Sequence, residues 1–303
     1  MPNRLLLKAA QSKRLEAFTT RNRLTRTVVL RYVAGYTVED AWQVAAELKA
    51  DDIDVSLDFL GESVDDIQQT QAAMQEYRDA MRQLHEVSPG ATISIKLSQL
   101  GVVLDPEQCA RHLEDLLQTG EQFNVGVEID MEHSSAGRPT LQIFRQLLPQ
   151  YPQARQAFQA YLRSTLADLM SFEHTHPRIR LVKGAFDEPA EVAFQDAAEV
   201  TEQYKYLSRW ALENLPDPAF GTQDEQCIDY VQATANELGI DRRAFEFQFL
   251  YGIRRDKQRE LAQQGYRVRV YLPYGTEWYP YLMRRMAERP ANLFLFLRSV
   301  VGK

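Results

Sequence analysis

The chain has 303 residues, of which 45% are hydrophobic and 25% are charged, as in an ordinary globular protein. Its formal net charge of -7 and its pI near 5.4 argue against nucleic acid as the main partner. No apolar run approaches the roughly 18 residues that span a bilayer, and the basic start is too short for a signal peptide, so we expect a cytoplasmic protein.

Taken in chain order, short β-type runs alternate with longer helical runs. A helix is predicted to open at Thr37, ahead of the first strand. The predicted strands cover 53–60, 92–97, 125–131, 157–162, 179–184, 218–223, 245–250 and 267–273. The predicted helices that follow them include 63–87, 106–119, 140–148, 164–174, 189–214, 224–238, 254–264 and 277–288.

Eight β/α alternations in about 250 residues favour a (β/α)8 barrel over an open sheet. We therefore predict an α/β fold, a TIM-like barrel with extra N-terminal helices. Residues 1–50 would form a helical segment packed on the barrel, residues 51–303 would form the barrel itself, and the two would make one domain overall. Residues 4–18 suit either packing on the barrel or peripheral contact with the inner face of a membrane.

Several predicted strands alternate in side-chain character. In 245–250 the phenylalanines alternate with Glu246 and Gln248, and in 267–273 the valines alternate with arginines. Because a barrel strand shows one face to the helices and the other to the lumen, the polar set should point inward. A solvent-facing antiparallel sheet would give the same alternation, but the intervening helices argue against it. A polar lumen suggests a site for something large and polar.

The predicted strand ends carry residues that a barrel would bring to one mouth, where catalytic groups are found in this architecture. They are Glu62, Lys96, Asp130, Gln159, Arg180, Lys183, Gly184, Ala185, Thr222, Gln223, Gln248 and Tyr271. Lys183 has the opposite parity to Arg180, so both face the lumen only if Lys183 lies past the regular strand. Gly184 would let backbone N–H groups approach a phosphate, although a Lys-Gly turn can equally be a plain strand exit.

Each of these residues could instead have a purely structural role. Lys96, for example, could simply pair with Asp130 or Glu128. Cys109 and Cys227 stand in no metal or redox spacing, so we expect no bound metal. No G-x-G-x-x-G occurs, so a dinucleotide would not be held in the Rossmann manner.

The last predicted helix presents Arg284 and Arg285 side by side after the eighth strand, with Glu288 between them on the helix surface. Two guanidinium groups beside aromatic rings suit one small carboxylate, because each offers a planar fork of donors that matches two oxygens. A surface helix with ion pairs would show the same motif. Its position at the mouth of the predicted barrel favours the carboxylate site.

Together these motifs resemble the proline dehydrogenase family, in particular its short monofunctional bacterial members, over nearly the whole chain from Arg31 to Lys303. The matching segments are RYVAG (31–35), LDFLGE (57–62), ISIKLSQLG (93–101), IDMEHS (129–134), RLVKGA (180–185), FEFQFLYG (245–252) and YLPYGTEWYPYLMRRMAERPAN (271–292). The resemblance implies a distorted (β/α)8 barrel with FAD at the strand ends. It also implies oxidation of L-proline to pyrroline-5-carboxylate, with electrons passing from FAD to a quinone and the product passing to a pyrroline-5-carboxylate dehydrogenase.

The resemblance also implies roles for individual residues. Arg284 and Arg285 would hold the proline carboxylate and Tyr271 would cover the ring. The catalytic set would be Lys96, Asp130 and Arg180, with Lys96 and Asp130 on the substrate side of the flavin and Arg180 as a donor to its reduced form. Glu62 would pair with one of the two arginines as a gate, together with Glu288. Contacts to FAD would come from Met131, Gln159, Arg180, Lys183, Gly184, Ala185, Thr222, Gln223 and Gln248.

Two positions depart from the family pattern. Gln223 stands where the family commonly has His, so that the side chain can form hydrogen bonds but cannot carry charge. Phe186 stands where a Tyr is often found, which removes one hydroxyl. Neither is among the expected substrate residues.

Two other functions remain open at this stage. One is a Schiff-base lyase or aldolase on the same barrel that uses Lys96 or Lys183. The other is a barrel that binds an amino acid without chemistry, against which the charge of the lumen argues, since buried charge is costly unless it is used.

Overall fold

The structure is a computed structural model that describes residues 28–61 and 64–288. Eight parallel strands close into a barrel, in which each strand pairs with the next along the chain and the last pairs with the first. They are β1 (Asp54–Phe59), β2 (Thr92–Ile95), β3 (Gly126–Ile129), β4 (Arg155–Gln159), β5 (Arg178–Val182), β6 (Ala219–Gly221), β7 (Glu246–Leu250) and β8 (Arg267–Tyr274). The predicted barrel is confirmed.

Helices alternate with these strands as the sequence predicts. In the described part of the chain they are α1 (Val38–Ala50) before β1, then α2 (Gln69–Val87), α3 (Pro106–Phe123), α4 (Ser134–Leu147), α5 (Thr165–Met170), α6 (Ala197–Asn214), α7 (Glu225–Glu237), α8 (Arg255–Gln263) and α9 (Trp278–Glu288). Short 3₁₀ turns cover Leu97–Leu100 and Glu173–Thr175. None of the helices described is both long and apolar enough to cross a bilayer.

Helix α4 begins at Ser134, six residues before the predicted start at 140. The carboxylate of Glu188 accepts hydrogen bonds from the Ser134 backbone N–H at 2.8 Å and from its hydroxyl at 2.5 Å. This carboxylate satisfies a backbone donor that the first turn leaves without a helical partner. The helix therefore starts ahead of Pro139, although proline removes one helical hydrogen bond. The prediction was wrong because the capping group lies 54 residues away.

Helix α6 begins at Ala197 rather than at 189, because Asp196 is its N-cap and accepts hydrogen bonds from the backbone N–H groups of residues 198 and 199. Residues 183–196 instead form the loop that follows β5. Backbone bonds tie this loop to the segment after β4, since the N–H of Phe194 donates to the Tyr161 carbonyl at 2.9 Å.

The main hydrophobic core lies between the outer face of the barrel and the helices. The alternation in β7 behaves as predicted: Phe245, Phe247 and Phe249 are buried in this core, and Phe245 packs edge-on against Phe220 at 5.9 Å between ring centroids. Full burial of each ring stabilises the fold by about 1.5–3 kcal/mol relative to exposure. The helical coat and the strands thus share one core, which fixes the register of every strand relative to the lumen.

The lower half of the lumen is filled by the protein's own charges. The Arg155 guanidinium lies 2.9 Å from both Glu128 and Glu246, and Arg269 lies 2.9 Å from Glu246. All four side chains are almost fully buried. The polar lumen is therefore an internal ion network in this half, and the suggestion of a large ligand applies only to the mouth. Strand β4 spans Arg155–Gln159 instead of the predicted 157–162, and Arg155 at its start belongs to this network.

Residues 28–36 form a segment, called the strap below, that runs over the end of β8. The Ala34 N–H donates to the Pro273 carbonyl at 2.8 Å, and the Gly275 N–H donates to the Gly35 carbonyl at 3.0 Å. The predicted helix start at Thr37 is confirmed, with Asp40 completing a capping box. The division of the chain at residue 50 stays a prediction.

Candidate active site

The centre of the mouth is the pair formed by Arg180 of β5 and Asp130, which follows β3. One guanidinium nitrogen of Arg180 contacts Asp130, and the other donates to Glu128 at 2.7 Å and to the Ser94 hydroxyl at 3.2 Å. Burial alone would lower the pKa of Arg180, but Asp130 and Glu128 outweigh it and hold the pKa above its ordinary value. Glu128 thus connects this pair to the ion network below.

Tyr271 of β8 contacts both members of this pair. Its hydroxyl donates to Asp130 at 2.6 Å, and the Arg180 guanidinium lies 5.4 Å from the centroid of its ring. Burial, together with the charges of Asp130 and Asp58, raises the pKa of Tyr271 well above its ordinary value. The hydroxyl is therefore a neutral donor, and both Asp130 oxygens are occupied.

Lys96 follows β2 and contacts two carboxylates. Its ammonium group contacts Asp58 of β1 and lies 3.9 Å from Asp130. Burial by itself would lower the pKa of Lys96, yet these two carboxylates hold it above its ordinary value. Asp58 is a residue that the sequence interpretation missed. The sequence did offer one indication of it. Asp58 lies in the LDFLGE segment, at a position of β1 whose side chain points into the lumen.

Helix α9 carries Arg284 and Arg285 to the same mouth. Burial and the neighbouring charge of Arg285 lower the pKa of Arg284, while Tyr271 and Asp58 act in the opposite direction, which places Arg284 within electrostatic reach of both. The Arg285 guanidinium lies 5.3 Å from the centroid of the Tyr281 ring. The structure thus places two adjacent cations beside aromatic rings, and their binding of a carboxylate stays a prediction. Glu62 and the side chain of Glu288 lie outside the described residues, so the gate stays a prediction.

A second hydrophobic cluster holds α9 in place, and it is separate from the main core. It joins the strap, through Val29, Tyr32 and Val33, to the buried face of α9. Leu60 and Ile253, from the segments after β1 and β7, complete it. The two arginines therefore depend on packing that the RYVAG segment supplies.

Around β4, β6 and β7, the predicted cofactor residues lie at the strand ends. The Gln159 amide nitrogen donates to the Met131 carbonyl at 3.0 Å, whereas its buried oxygen accepts no hydrogen bond from the described residues. The Gln223 oxygen accepts from the Leu250 N–H at 3.1 Å, which leaves its amide N–H groups as donors. Thr222 accepts from the backbone N–H of Asp224 at 3.1 Å.

Gln248 belongs to the lumen network more than to the mouth. Its amide nitrogen donates to Glu246 at 2.8 Å and to Glu128 at 3.1 Å. Its oxygen lies 3.4 Å from an Arg180 nitrogen. The structure therefore links Gln248 to the central pair through Arg180.

The Lys183-Gly184-Ala185 turn follows β5, so Lys183 does lie past the regular strand. Its ammonium group donates to Asp224 at 2.6 Å and to the Thr201 hydroxyl at 2.8 Å, at the outer rim of the mouth. Gly184 adopts a φ of 110°, and a Cβ here would overlap the Tyr161 ring. Next to it, the Phe186 ring lies 4.3 Å from the His133 ring.

The structure thus brings Lys96, Asp130, Arg180 and Tyr271 into one cluster, with α9 beside it, and spreads the remaining residues along the rim from β4 to β7. Both candidate Schiff-base lysines contact carboxylates, Lys96 that of Asp58 and Lys183 that of Asp224, so each has a structural partner. Among the described residues, no group of three or more His, Cys, Asp or Glu side chains could hold a metal ion.

Fold and site together define a (β/α)8-barrel protein with a charged, buried site at the carboxyl ends of its strands, where enzymes of this architecture carry their catalytic groups. The family model for proline dehydrogenase matches residues 41–294, and the chain belongs to this family. The resemblance noted from the motifs is thereby confirmed.

Relatives support this membership over most of the chain. Proline dehydrogenase 1 of Bacillus subtilis is 36% identical over 279 residues, which are 92% of each chain. Proline dehydrogenase of Deinococcus radiodurans is 39% identical over 280 residues, which are 89% of each chain.

Solved structures of proline utilization A (PutA) share the fold. PutA from Bdellovibrio bacteriovorus inactivated by N-propargylglycine has a TM-score of 0.79 at 24% identity, over 86% of this chain and 32% of that chain. A Bradyrhizobium japonicum PutA mutant, D778Y, has a TM-score of 0.73 at 21% identity, over 89% of this chain and 32% of that one. The chain spans about a third of the length of these solved chains.

Proposed function

We propose that the protein oxidises L-proline to 1-pyrroline-5-carboxylate with FAD as its cofactor, as the first step of proline catabolism. A single observation carries this proposal: a member of the proline dehydrogenase family brings Lys96, Asp130, Arg180 and Tyr271 together beside a helix with two adjacent arginines. No other function has a comparable observation in its favour.

The residues at the strand ends fit a flavin. The Gln159 oxygen is a buried acceptor without a donor among the described residues, and a flavin ring brings an N–H donor. The Lys183 ammonium group, which contacts Asp224 at 2.6 Å, would supply positive charge to a diphosphate beside the Gly184 turn. The residues proposed to hold FAD are Met131, Gln159, Arg180, Lys183, Gly184, Ala185, Thr222, Gln223 and Gln248. FAD, when bound, would supply the acceptor for a hydride from the substrate.

The substrate side follows from charge and burial. Arg284 and Arg285 would bind the proline carboxylate, since two forks of N–H donors match its oxygens. Lys96 and the same two arginines would place three cations near the ring nitrogen, which favours the neutral amine that loses a hydride most readily. The Tyr271 ring would cover the pocket, and its hydrogen bond to Asp130 holds the ring in place. Glu62 and Glu288 would close the pocket by pairing with the arginines.

The proposed electron acceptor of the reduced enzyme is a quinone, and the proposed consumer of the product is a pyrroline-5-carboxylate dehydrogenase. We propose a cytoplasmic location, with peripheral contact at the inner face of the membrane where quinone resides. Residues 4–18, on which that contact would depend, lie outside the described residues.

The visible spectrum of the purified protein tests the proposal directly. A flavin absorption band should bleach on anaerobic addition of L-proline and not on addition of D-alanine. A flavin band that proline leaves unchanged would contradict the substrate. A protein that stays colourless when FAD is supplied would contradict the cofactor and return the Schiff-base lysine to consideration.

A further inference from the structure

Asp58 differs from the other lumen carboxylates described. Glu128, Asp130 and Glu246 each contact at least one arginine, whereas Asp58 contacts the ammonium group of Lys96. Only 1% of Asp58 is exposed, and its Oδ2 atom accepts no hydrogen bond from the described residues. An unsatisfied oxygen on a buried carboxylate is unfavourable while the group is ionised, and protonation relieves this.

The groups that face Asp58 come from several elements. They are Lys96 and Asp130 after β2 and β3, Tyr271 and Tyr274 of β8, Tyr77 of α2 and Arg284 of α9. Burial raises the pKa of Asp58, the Lys96 ammonium opposes this, and the charge of Asp130 adds to it, with a net direction upward. The carboxylate is thus prepared to accept a proton.

Resting on the proposed function, we propose that Asp58 is the proton acceptor for the substrate amine and that it acts through Lys96. Free proline carries a ring ammonium at neutral pH, and the hydride can leave only after that nitrogen has lost a proton. In the resting site Lys96 is an ammonium group, and the approach of the cationic ring nitrogen of proline acts to lower its pKa. The Lys96 ammonium would then transfer a proton to Asp58, which breaks an N–H bond and forms an O–H bond, and the resulting amine would take the proton of the ring nitrogen. One proton moves from substrate to Asp58, and no electrons are exchanged.

Asp130 is the natural rival for this role, but its oxygens are already engaged. One contacts the Arg180 guanidinium, and the other accepts the Tyr271 hydroxyl at 2.6 Å. Each Asp130 oxygen thus already has a donor, whereas the Oδ2 atom of Asp58 has none among the described residues.

The experiment measures the rate of flavin bleaching by L-proline, anaerobically and in a single turnover, from about pH 7 to pH 9 in wild type and in Asp58→Asn. At pH 7 the variant should be slower by roughly 10²-fold, as is common when a general base is removed. The deficit should then shrink about tenfold per pH unit, because the fraction of proline that arrives as the neutral amine rises tenfold per unit below the pKa of about 10 that alkyl ammonium groups have.

A second readout is independent of turnover. Cyclopentanecarboxylate has the five-membered ring and the carboxylate of proline but no amine, and its dissociation constant can be measured from the change it causes in the flavin spectrum. Asp58→Asn should leave this constant within about threefold of wild type or lower it, since the variant removes a negative charge near the carboxylate site.

Ser56→Ala is the matched control, because Ser56 points into the lumen from the same strand and its hydroxyl lies 2.9 Å from that of Ser94. It should keep the wild-type pH profile. A deficit in Asp58→Asn that is equal at every pH, or a loss of cyclopentanecarboxylate binding beyond tenfold, would contradict the assignment of Asp58 alone. A wild-type protein that proline does not bleach would contradict the proposed function, and this proposal would fail with it.

Discussion

At the scale of single residues, the site is built from groups whose charges are fixed by their neighbours. Arg180 stays a cation because Asp130 and Glu128 outweigh the effect of burial on its pKa. Arg284 is the opposite case, since burial and Arg285 lower its pKa. Two adjacent, half-buried guanidinium groups repel each other, and an anion bound between them would relieve this repulsion, which is the role proposed for the substrate carboxylate.

Arg285→Met should raise the proline KM by roughly 10- to 100-fold, because a charge-assisted hydrogen bond contributes about 1.5–3 kcal/mol. The bound flavin should be retained, since no flavin contact is assigned to this residue. Steady-state kinetics and the absorption spectrum measure the two effects. Arg255→Met is the matched control, because Arg255 also lies over a tyrosine ring, at 5.1 Å from Tyr251, on a different helix. Unchanged kinetics in Arg285→Met would exclude a carboxylate contact.

At the scale of elements, the mouth depends on segments that are distant in sequence. The strap passes over Gly252, which has a φ of 78° and where a Cβ would overlap the carbonyl oxygen of Arg31. The strap in turn packs on α9, the helix of the two arginines. The helix proposed to bind the substrate is therefore held by a cluster other than the core that holds the barrel.

Gly252→Ala should weaken proline binding and leave flavin binding intact, because it displaces the strap and with it α9. Gly239→Ala isolates the effect of backbone strain, since Gly239 has a similar φ of 68° but open space around its Cβ position. Both variants should lose about 1 kcal/mol or more of stability from the left-handed backbone. Only Gly252→Ala should raise the proline KM, and an equal KM in the two variants would show that the strap does not position α9.

Glu188 is a second long-range contact, and it should act as a pH-dependent cap on α4. Burial acts to raise its pKa, but the hydrogen bonds from Ser134 and the contact with His133 outweigh this and lower it below the ordinary value of 4.5. A carboxyl with a lowered folded-state pKa contributes stability above its unfolded pKa and loses it as the pH falls through the folded value.

Glu188→Gln should therefore reduce the free energy of unfolding by about 1–2 kcal/mol at pH 7, and the difference from wild type should shrink below about pH 4.5. Urea unfolding at pH 7 and at about pH 4 measures this. Glu191→Gln, an exposed change in the same loop, should have little effect at either pH. A difference that is independent of pH would refute the role of the charge.

At the scale of the whole molecule, the protein has two interiors that differ in polarity. Apolar side chains fill the space between strands and helices, whereas paired charges fill the lower lumen. Burying ions is unfavourable unless each has good partners, so the network holds the fold only while it is complete. Its link through Glu128 to Arg180 joins the stability of the barrel to the geometry of the mouth.

Glu246→Gln should destabilise the fold by about 3–5 kcal/mol, because it removes the buried carboxylate that lies 2.9 Å from both Arg155 and Arg269 and leaves the two arginines with only Glu128 in common. Arginines lower the pKa of Glu246 well below 4.5 against the opposing effect of burial, so wild type should lose this stability as the pH falls below that value. Chemical denaturation at two pH values measures both effects. Arg209→Met, which removes an exposed ion pair with Glu237, should change stability little, and equal losses in the two variants would contradict the network.

The sequence by itself determined the barrel and the polar residues that meet at the centre of its mouth. Periodicity located all eight strands because the inner and outer faces of each strand differ in polarity. Neighbouring residues such as Phe247 and Gln248 show this difference in the sequence itself. The motifs identified the family, and strand ends placed Lys96, Asp130, Arg180 and Tyr271 at one mouth. The alternation of side chains along the fifth strand also showed that Lys183 could face the mouth together with Arg180 only if Lys183 lay past the regular strand.

Tertiary structure decided which groups pair. The start of α4 depends on Glu188, which lies 54 residues from Ser134, so no local pattern could predict it. The role of the strap requires the close approach of Arg31 to Gly252. The contact between Asp58 and Lys96 could be recognised only in the closed barrel, where β1 lies beside β2. Which buried charges pair depends on the distances between side chains on different strands. A sequence pattern shows which residues are polar, but it does not contain those distances.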